Sequence, residues 1–256
     1  MELKVMTFNL RVDNAGDGRN AFSNRFLRVI ETVLRESPAI VGFQEVTESM
    51  AQKVREGLSG YTVLGCGRER DCRGESMLLA YRTDAFSLLS VENVWLSLTP
   101  DLPGSRYGLD QSPCPRMFTA VLLQPHACGK KLLFVNTHLD HVGQTARLLG
   151  AAQLIQYLRT HTSADGHFVL TGDFNAQPDS PEIRLFADID GFPITDCTAA
   201  LPGTFHDFGR IPEEKREHID YIFTDGACRG AYAVPDDCPD GVYYSDHLAV
   251  CATVAL

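Results

Sequence analysis

Short polar motifs at the ends of strand-like runs are the part of this chain that could carry out chemistry. In chain order they are Met6-Thr7-Phe8-Asn9, Gln44-Glu45, Asn136-Thr137-His138, Gly172-Asp173-Phe174-Asn175, Ile219-Asp220-Tyr221 and Ser245-Asp246-His247. The ends of strands packed side by side lie at one rim of a sheet, where binding sites commonly form. Carboxylates, amides and two histidines at such a rim indicate a divalent-metal site suited to phosphate chemistry.

Cleavage of a phosphate ester needs neutralised phosphate oxygens, an activated water molecule and a protonated leaving group. Magnesium suits the first task because it binds carboxylate and phosphate oxygens and keeps exchangeable waters. Glu45 follows a run typical of a buried strand and is the strongest candidate for a metal ligand. The amide oxygen of Asn9 can add a ligand, or its nitrogen can orient a carboxylate. Asp173 and Asn175 stand two residues apart after a strand, so both side chains point the same way.

The elements that must position these residues follow from the apolar pattern. Runs rich in β-type residues predict strands at 3–10, 39–43, 76–82, 86–91, 118–123, 131–136, 167–171, 219–224 and 248–254. Apolar spacing predicts helices at 25–36, around Met50, and at 145–159. Leu27, Ile30 and Leu34 share one face of the first helix, and Leu148, Leu149, Ala152, Ile155 and Leu158 share one side of the last. Pro, Gly and Asp make 100–115 and 225–244 irregular.

Composition narrows the class of partner. The 256 residues are 44% apolar, which is ample for a core, and 33 acidic against 23 basic residues give a net charge of −10. Proteins that grip a long nucleic-acid backbone usually carry a basic excess, so duplex DNA is disfavoured and a small phosphorylated substrate is favoured. No run approaches the roughly 18 apolar residues of a membrane span. The chain has eight cysteines and no Cys-x-x-Cys spacing, which favours reduced thiols and a cytoplasmic location. Whether a leader peptide has been removed is left open.

Taken together and in this order, the motifs resemble the endonuclease/exonuclease/phosphatase superfamily of metal-dependent phosphoesterases. Its members include pancreatic-type deoxyribonucleases, apurinic endonucleases, inositol polyphosphate 5-phosphatases, neutral sphingomyelinases and deadenylases. The resemblance runs from Lys4 to Val250. It implies an α/β (α+β) fold, a four-layer sandwich of two packed mixed β-sheets flanked by helices, as a single domain over 1–256.

The resemblance also implies roles for the metal side of the site. Glu45 corresponds to the glutamate that binds the metal, Mg²⁺ or Mn²⁺, with Asn9 and Asp246 supporting it. Asp173 corresponds to the aspartate that orients or deprotonates the attacking water. Asn175 corresponds to the asparagine that bonds the phosphate.

Two histidines are implied to be catalytic, each with a carboxylate that fixes its tautomer. Asp220 is the implied partner of His247. Glu75 is the implied partner of His138, because pancreatic-type deoxyribonucleases place such a glutamate before a strand ending in Tyr-Arg, and 74–82 has the same arrangement. Which histidine acts as base and which as acid is left open.

Further segments are similar to a largely uncharacterised bacterial branch of the superfamily. They are 93–100, 115–119, 137–141 and 203–208. Within them Arg116 is a candidate phosphate clamp, with a structural ion pair as the alternative. His206 and Tyr107 are expected to line the pocket.

Three other residues keep two interpretations each. Trp95 is either core or a base-stacking platform. Asp140 and His141 either extend the metal site or form a structural bond with Arg147 on the next helix.

We therefore expect a hydrolase that uses Mg²⁺ or Mn²⁺ to cleave a small phosphorylated or phosphodiester substrate by in-line water attack. One alternative is a nuclease acting on single-stranded DNA or RNA ends. Another is a non-catalytic protein that binds a phosphorylated ligand and has kept the fold. The presence of Glu45, Asp173 and both histidine motifs argues against this last alternative. The oligomeric state is left open.

Overall fold

The computed structural model describes residues 1–187, 189 and 191–256. Within these residues, twelve strands form two six-stranded sheets. Sheet A has the order β11-β12-β1-β2-β4-β3, from Ala227–Ala233, Val250–Ala255, Glu2–Asn9, Ile40–Val46, Ser76–Arg82 and Tyr61–Leu64. Sheet B has the order β5-β6-β7-β8-β10-β9, from Phe86–Trp95, Met117–Pro125, Leu132–His138, His167–Asp173, Asp220–Thr224 and Thr195–Asp196. The helices are α1 at Phe22–Glu36, α2 at Glu48–Gly57, α3 at Gln144–His161 and α4 at Pro181–Arg184.

Three apolar clusters hold the layers together. One lies between the sheets and includes Val5, Phe134 and Val250. A second packs α1 and α2 on the outer face of sheet A, and a third packs α3 on the outer face of sheet B. Each sheet is therefore covered on both faces, which suits strands that read as nearly continuous apolar runs. The expected four-layer sandwich of two mixed sheets is confirmed.

Strand directions explain why the polar motifs meet. β1 and β2 pair in parallel, and so do β7 and β8, so Asn9 and Glu45 lie at one end of sheet A while His138 and Asp173 lie at one end of sheet B. β12 and β10 run antiparallel to these strands. The residues before β12 and the first residue of β10, Asp220, therefore reach the same rim.

A polar link between the sheets lies just beneath this rim. The Asn136 side-chain nitrogen donates to the carbonyl oxygens of Phe43 and Leu78 across the sandwich, at 2.8 Å each. Its oxygen accepts from Gln44 Nε2 at 2.6 Å. A Cβ atom on Gly42 would stand 2.4 Å from that oxygen, so only glycine fits there. This link fixes the register of one sheet against the other.

Several sequence expectations need correction. Leu27 and Leu34 of α1 are 59% and 46% exposed, and the buried face carries Phe22, Val29 and Val33 instead. The irregular stretch expected at 225–244 contains β11, an edge strand with alternating exposure. The short β3 was not anticipated. The irregular stretch expected at 100–115 does lack helices and strands.

Two further expectations concern the lack of a membrane-spanning run and the state of the cysteines. Within the part of the chain that the structure describes, no helix is long and apolar enough to cross a membrane. All eight cysteines carry free thiols, and Cys251 lies buried in β12. Assignment of the chain to a single domain stays a prediction.

Candidate active site

The rim carries an open cleft of about 490 Å³, which falls in the range of small-ligand sites. Most of the expected residues line it: Glu45, Glu75, Arg116, His138, Asp173, Asn175, Asp246 and His247. Asn9 and Asp220 lie beneath and bond to lining residues. A groove of about 520 Å³ beside α1, at Leu34, Tyr61 and Arg82, carries none of the expected residues.

Asp173 is the centre of the site. Its Oδ2 atom accepts a 2.9 Å hydrogen bond from Asn9 Nδ2, and its Oδ1 accepts one of 2.9 Å from the Asn175 backbone. The Nε2 atoms of His138 and His247 lie 3.5 and 3.8 Å from Oδ2. The carboxylate is therefore fixed from below and faces both imidazoles.

Burial and a like charge change the acidity of this carboxylate. Asp173 is 2% exposed, and burial, followed by the neighbouring charge of Asp220, raises its pKa to about 7. A carboxylate poised near neutrality exchanges protons readily. Asp173 is thus suited to work on a proton of a bound water molecule.

His247 has the carboxylate partner that was expected. Its Nδ1 lies 2.9 Å from Asp220 Oδ2, which also accepts from the Thr204 hydroxyl. Burial lowers the pKa of His247, but Asp220, Asp246 and Asp173 outweigh it and bring the value to about 10. The bond to Asp220 directs Nε2 into the cleft, towards Asp173.

The pairing expected for His138 is not formed. Glu75 Oε1 accepts from Arg68 Nη2 at 2.7 Å instead, and His138 Nδ1 is buried with no partner among the described residues. His138 Nε2 lies 2.9 Å from Asn175 Nδ2. Burial and then the charge of Arg116 lower the pKa of His138 well below its usual range. The two histidines therefore sit in opposite electrostatic surroundings, one among carboxylates and one among guanidinium groups.

Glu45 is aimed by a break in its strand. Pairing of β2 with β4 is interrupted between Phe43 and Val46, and Glu45 adopts the left-handed conformation with φ of 62°. Its Oε2 accepts from the Val12 backbone at 2.8 Å and its Oε1 from Asn9 Nδ2 at 3.2 Å. Strain of this kind persists only where surrounding contacts hold it, and it commonly marks functional positions.

The donor set fits a hard divalent cation. Glu45 and Asp246 are carboxylates lining the cleft, and burial, with Glu45 among the charges, raises the pKa of Asp246. The cations near Asp246 include His247, whose charge opposes the rise in its pKa, and Arg11, whose Nε is 3.7 Å from Asp246 but 3.1 Å from Asp17. Carboxylate oxygens at the wall of a cleft are ligands typical of Mg²⁺ or Mn²⁺ sites.

The most compact cluster of potential ligands is a different one. Ligand atoms of Asp173, Asp220 and His247 all lie within 4.8 Å of one another. These are the residues expected to move protons rather than to bind the metal. Metal binding by Glu45, Asn9 and Asp246 stays a prediction. The Asn9 oxygen accepts from the Arg11 backbone at 2.9 Å while its nitrogen faces two carboxylates, an arrangement that orients carboxylates.

Sequence reasoning missed Arg25, which holds two site loops together. Its guanidinium is completely buried and donates to the carbonyl oxygens of Leu10, Arg11, Asn20 and Tyr244. Burial lowers its pKa to about 10, so it stays charged at neutral pH. The first loop follows Asn9, and the second leads into the Ser-Asp-His motif. The sequence did contain one indication of this role, since Arg25 lies on the same face of α1 as the apolar residues Phe22 and Val29.

Arg116 lines the cleft and also forms the ion pair considered as the alternative. Its Nε is 3.3 Å from Asp140 Oδ2, and its Nη2 is 2.6 Å from His141 Nδ1. Asp140 further accepts from Ser112 and from the Val142 and Gly143 backbones. Both carboxylate oxygens of Asp140 are thus used in hydrogen bonds within the protein, which supports a structural role rather than an extension of the metal site.

Arg147, the other partner considered for Asp140, donates to the Asp140 backbone carbonyl at 3.0 Å rather than to its carboxylate. Trp95 is 3% exposed and packs with Met77 and Met117, so it is core rather than a stacking platform.

Two expected pocket residues lie elsewhere. Tyr107 packs against α3, where its hydroxyl bonds to Gln153. His206 lines a separate cavity of about 320 Å³ with Arg216 and Tyr243, because side chains alternate along its extended segment. The neighbouring Phe205 faces the cleft in its place.

Comparisons with known proteins agree with this geometry. The Endonuclease/Exonuclease/phosphatase family model matches residues 6–247. The crystal structure of an endonuclease/exonuclease/phosphatase from Bacteroides vulgatus is 34% identical, with 100% of this chain and 99% of that chain covered and a TM-score of 0.93. A mannosyl-6-phosphatase from Bacteroides thetaiotaomicron is 26% identical, with 99% of this chain and 100% of that chain covered and a TM-score of 0.88.

More distant structures share the fold alone. The human Nocturnin catalytic domain, solved with a bound sulfate anion, is 20% identical, with 99% of this chain and 93% of that chain covered and a TM-score of 0.76. Among curated proteins, none matches this chain. With the motifs gathered at one cleft and a family model spanning nearly its whole length, this chain belongs to the endonuclease/exonuclease/phosphatase family and is an enzyme of the phosphoesterase class.

Proposed function

We propose that the protein is a Mg²⁺- or Mn²⁺-dependent hydrolase that cleaves the phosphate ester of a small molecule by in-line attack of water. The observation that carries this proposal is the buried Asp173 carboxylate, held by Asn9 and Asn175 and faced by the Nε2 atoms of both histidines. Such a group at the base of a cleft suits activation of water at phosphorus rather than ligand binding alone.

Glu45 and Asp246, with Asn9 beside them, would hold the metal, which when bound neutralises phosphate oxygens and lowers the barrier to attack. Asp173 orients the attacking water. His247, fixed by Asp220, and His138 flank that carboxylate on either side. Hydrolysis needs one proton acceptor and one proton donor, and the two imidazoles are the candidates for these two roles.

The cleft supports a small substrate. Its volume of about 490 Å³ suits one metabolite-sized molecule. The net charge of −10 opposes a long polyanion. A relative named as a mannosyl-6-phosphatase, 26% identical over 99% of this chain, supports a phosphorylated small molecule. A nuclease acting on single-stranded ends has less support, since among the described residues Phe205 is the one Phe, Tyr or Trp that lines the cleft, and single-strand binders stack bases on several aromatic side chains. A cytoplasmic location stays a prediction.

The test is release of phosphate from a panel of nucleotides, sugar phosphates, inositol phosphates and short oligonucleotides, with Mg²⁺, with Mn²⁺ and with chelator. We expect metal-dependent release from small esters, and its loss in Asp173→Asn. A His161→Gln variant, altered at the exposed end of α3, serves as the matched control. Undiminished turnover in chelator would contradict the metal, and preference for oligonucleotides would contradict the substrate class.

A further inference from the structure

A second polar cluster occupies the part of the cleft beside His138. It consists of Arg68, Glu75, Arg116 and His141, all of which line the cleft. Glu75 was expected to serve His138, and its pairing with Arg68 removes it from that role. The cluster therefore has no task in the hydrolysis as described above.

The cluster is held rigidly. Arg68 and Glu75 face each other across a tight loop, in which the Arg68 backbone donates to the Glu75 carbonyl at 2.9 Å. The Trp95 indole nitrogen donates to the Arg68 carbonyl at 2.6 Å and ties the loop to the core. A Cβ atom on Gly67 would stand 2.1 Å from the Arg73 carbonyl, so the loop closes tightly only with glycine there. Preorganisation of this kind favours a binding role.

Several donors of the cluster lack partners. Arg68 Nη1 and Arg116 Nη1 are buried without a hydrogen-bond acceptor among the described residues, and the carboxylate facing Arg68 Nε, that of Glu69, is 3.7 Å away, beyond hydrogen-bond distance. The two side chains are only 7% and 5% exposed. Buried donors in native proteins are nearly always satisfied, so these donors at the wall of a cleft are available for acceptor atoms of a ligand or of water.

Charge balance identifies the ligand chemistry. The guanidinium of Arg68 is matched by the Glu75 carboxylate at 2.7 Å, with that of Glu69 3.7 Å away, and the guanidinium of Arg116 is matched by Asp140 at 3.3 Å. No surplus positive charge remains for a second phosphate. What remains is a mixture of donors on the arginines and an acceptor on Glu75. Hydroxyl groups, which donate and accept at once, match such a set.

We propose that Arg68, Glu75 and Arg116 form a hydroxyl-binding subsite that selects phosphate esters of polyhydroxylated molecules such as sugars. The inference rests on the proposed function and adds the class of leaving group. His141, whose Nδ1 contacts Arg116 at 2.6 Å, positions that guanidinium.

The experiment compares two esters that differ in hydroxyl groups: a hexose 6-phosphate and cyclohexylmethyl phosphate, which has a similar six-membered ring and the same primary ester. Arg68→Met is expected to lower kcat/KM for the hexose 6-phosphate by roughly tenfold or more, as for loss of a charge-assisted hydrogen bond. Turnover of cyclohexylmethyl phosphate should fall by a clearly smaller factor, because that ester has no ring hydroxyls and loses only through the effect of the Arg68 charge on His138. Arg68→Lys keeps that charge and should give a smaller loss, concentrated on the hexose ester.

Arg73→Met is the matched control, because Arg73 lies on the same loop with its side chain 73% exposed. It should leave both esters unchanged. Equal losses on both esters in Arg68→Met, or no preference of the wild type for the hexose ester, would overturn the subsite while leaving the proposed function intact. Absence of metal-dependent turnover with every phosphate ester would overturn both.

Discussion

At the scale of single residues, Asp173 links the two sheets through a side-chain hydrogen bond. It ends a strand of sheet B, yet Asn9 of sheet A supplies one of its hydrogen bonds. The histidines around it differ in kind: Nδ1 of His247 lies 2.9 Å from Asp220, whereas Nδ1 of His138 has no partner among the described residues. The two imidazoles are therefore expected to respond differently when neighbouring residues are removed.

The first prediction concerns the His247–Asp220 pair. If Asp220 acts by orienting and polarising His247, then Asp220→Asn should cost little more in a protein that already carries His247→Ala. The measurement is a double-mutant cycle on the chemical step in single turnover. The Glu75 and His138 pair provides the comparison, since no hydrogen bond joins them and their effects should add. Additive losses at Asp220 and His247 would show that they do not form a unit.

The second prediction concerns Glu45. Glu45→Gln keeps the size of the side chain but removes its charge, and its single amide oxygen can accept only one of the two hydrogen bonds that Val12 and Asn9 donate to Glu45. We expect Mn²⁺ affinity, measured by titration with paramagnetic detection, to fall by about tenfold or more, as losses at metal sites usually do. The melting temperature should stay near that of the wild type. Glu48→Gln, at an exposed position of α2, is the control. Unchanged Mn²⁺ binding would remove Glu45 from the metal site.

At the scale of elements, α1 does more than cover sheet A. Through Arg25 it binds the loop after β1, which directly follows Asn9, and the loop before β12, which carries Asp246. Because the buried guanidinium satisfies four carbonyl groups, the two loops keep a fixed separation. The helix thereby positions residues that it does not itself contribute.

The third prediction follows from that contact. Arg25→Met should lower the free energy of unfolding by about 3 kcal/mol or more, because each buried carbonyl left unpaired costs about 1–3 kcal/mol. Urea denaturation gives this value. Arg35→Met, in the last turn of the same helix and 57% exposed, should change stability by less than about 0.5 kcal/mol. Equal effects of both changes would mean that the carbonyls find other partners.

The sequence could predict the strands that end in motifs, and with them the four layers, because their apolar runs are strong and their order matches a family. It could not predict which face of α1 is buried, since Leu27 and Leu34 are apolar yet exposed and the charged Arg25 is buried. Nor could it pair Glu75 correctly. Both errors concern contacts that depend on the folded structure. Arg25 bonds to the carbonyl oxygen of Tyr244, which is 219 residues away in the chain. Glu75 bonds to Arg68 because the loop between them brings the two side chains together.

At the scale of the whole molecule, acidic charge limits the choice of partner. The net charge of −10 includes the carboxylates of the cleft, so a long polyanion meets a net repulsion.

The fourth prediction is weak binding of duplex DNA. At physiological salt we expect a dissociation constant no tighter than the roughly 10⁻⁴ to 10⁻⁶ M of nonspecific complexes. Fluorescence anisotropy with a labelled duplex of about 30 base pairs, repeated at several salt concentrations, measures it. A tight complex with a steep salt dependence would show that local basic loops outweigh the net charge.

The polar link at Gly42, Gln44 and Asn136 has a consequence for how activity arises during folding. Each sheet alone carries half of the reacting groups, with Glu45 and Asp246 on sheet A and Asp173 and His138 on sheet B. A chain whose sheets had formed but slid by one residue would still bury much of its apolar surface, yet Asn136 would miss the Phe43 and Leu78 carbonyls. The unpaired amide and carbonyl groups would make such a shifted arrangement less stable than the native one, although its apolar burial is similar. Correct docking of the two sheets and assembly of the active site therefore occur together.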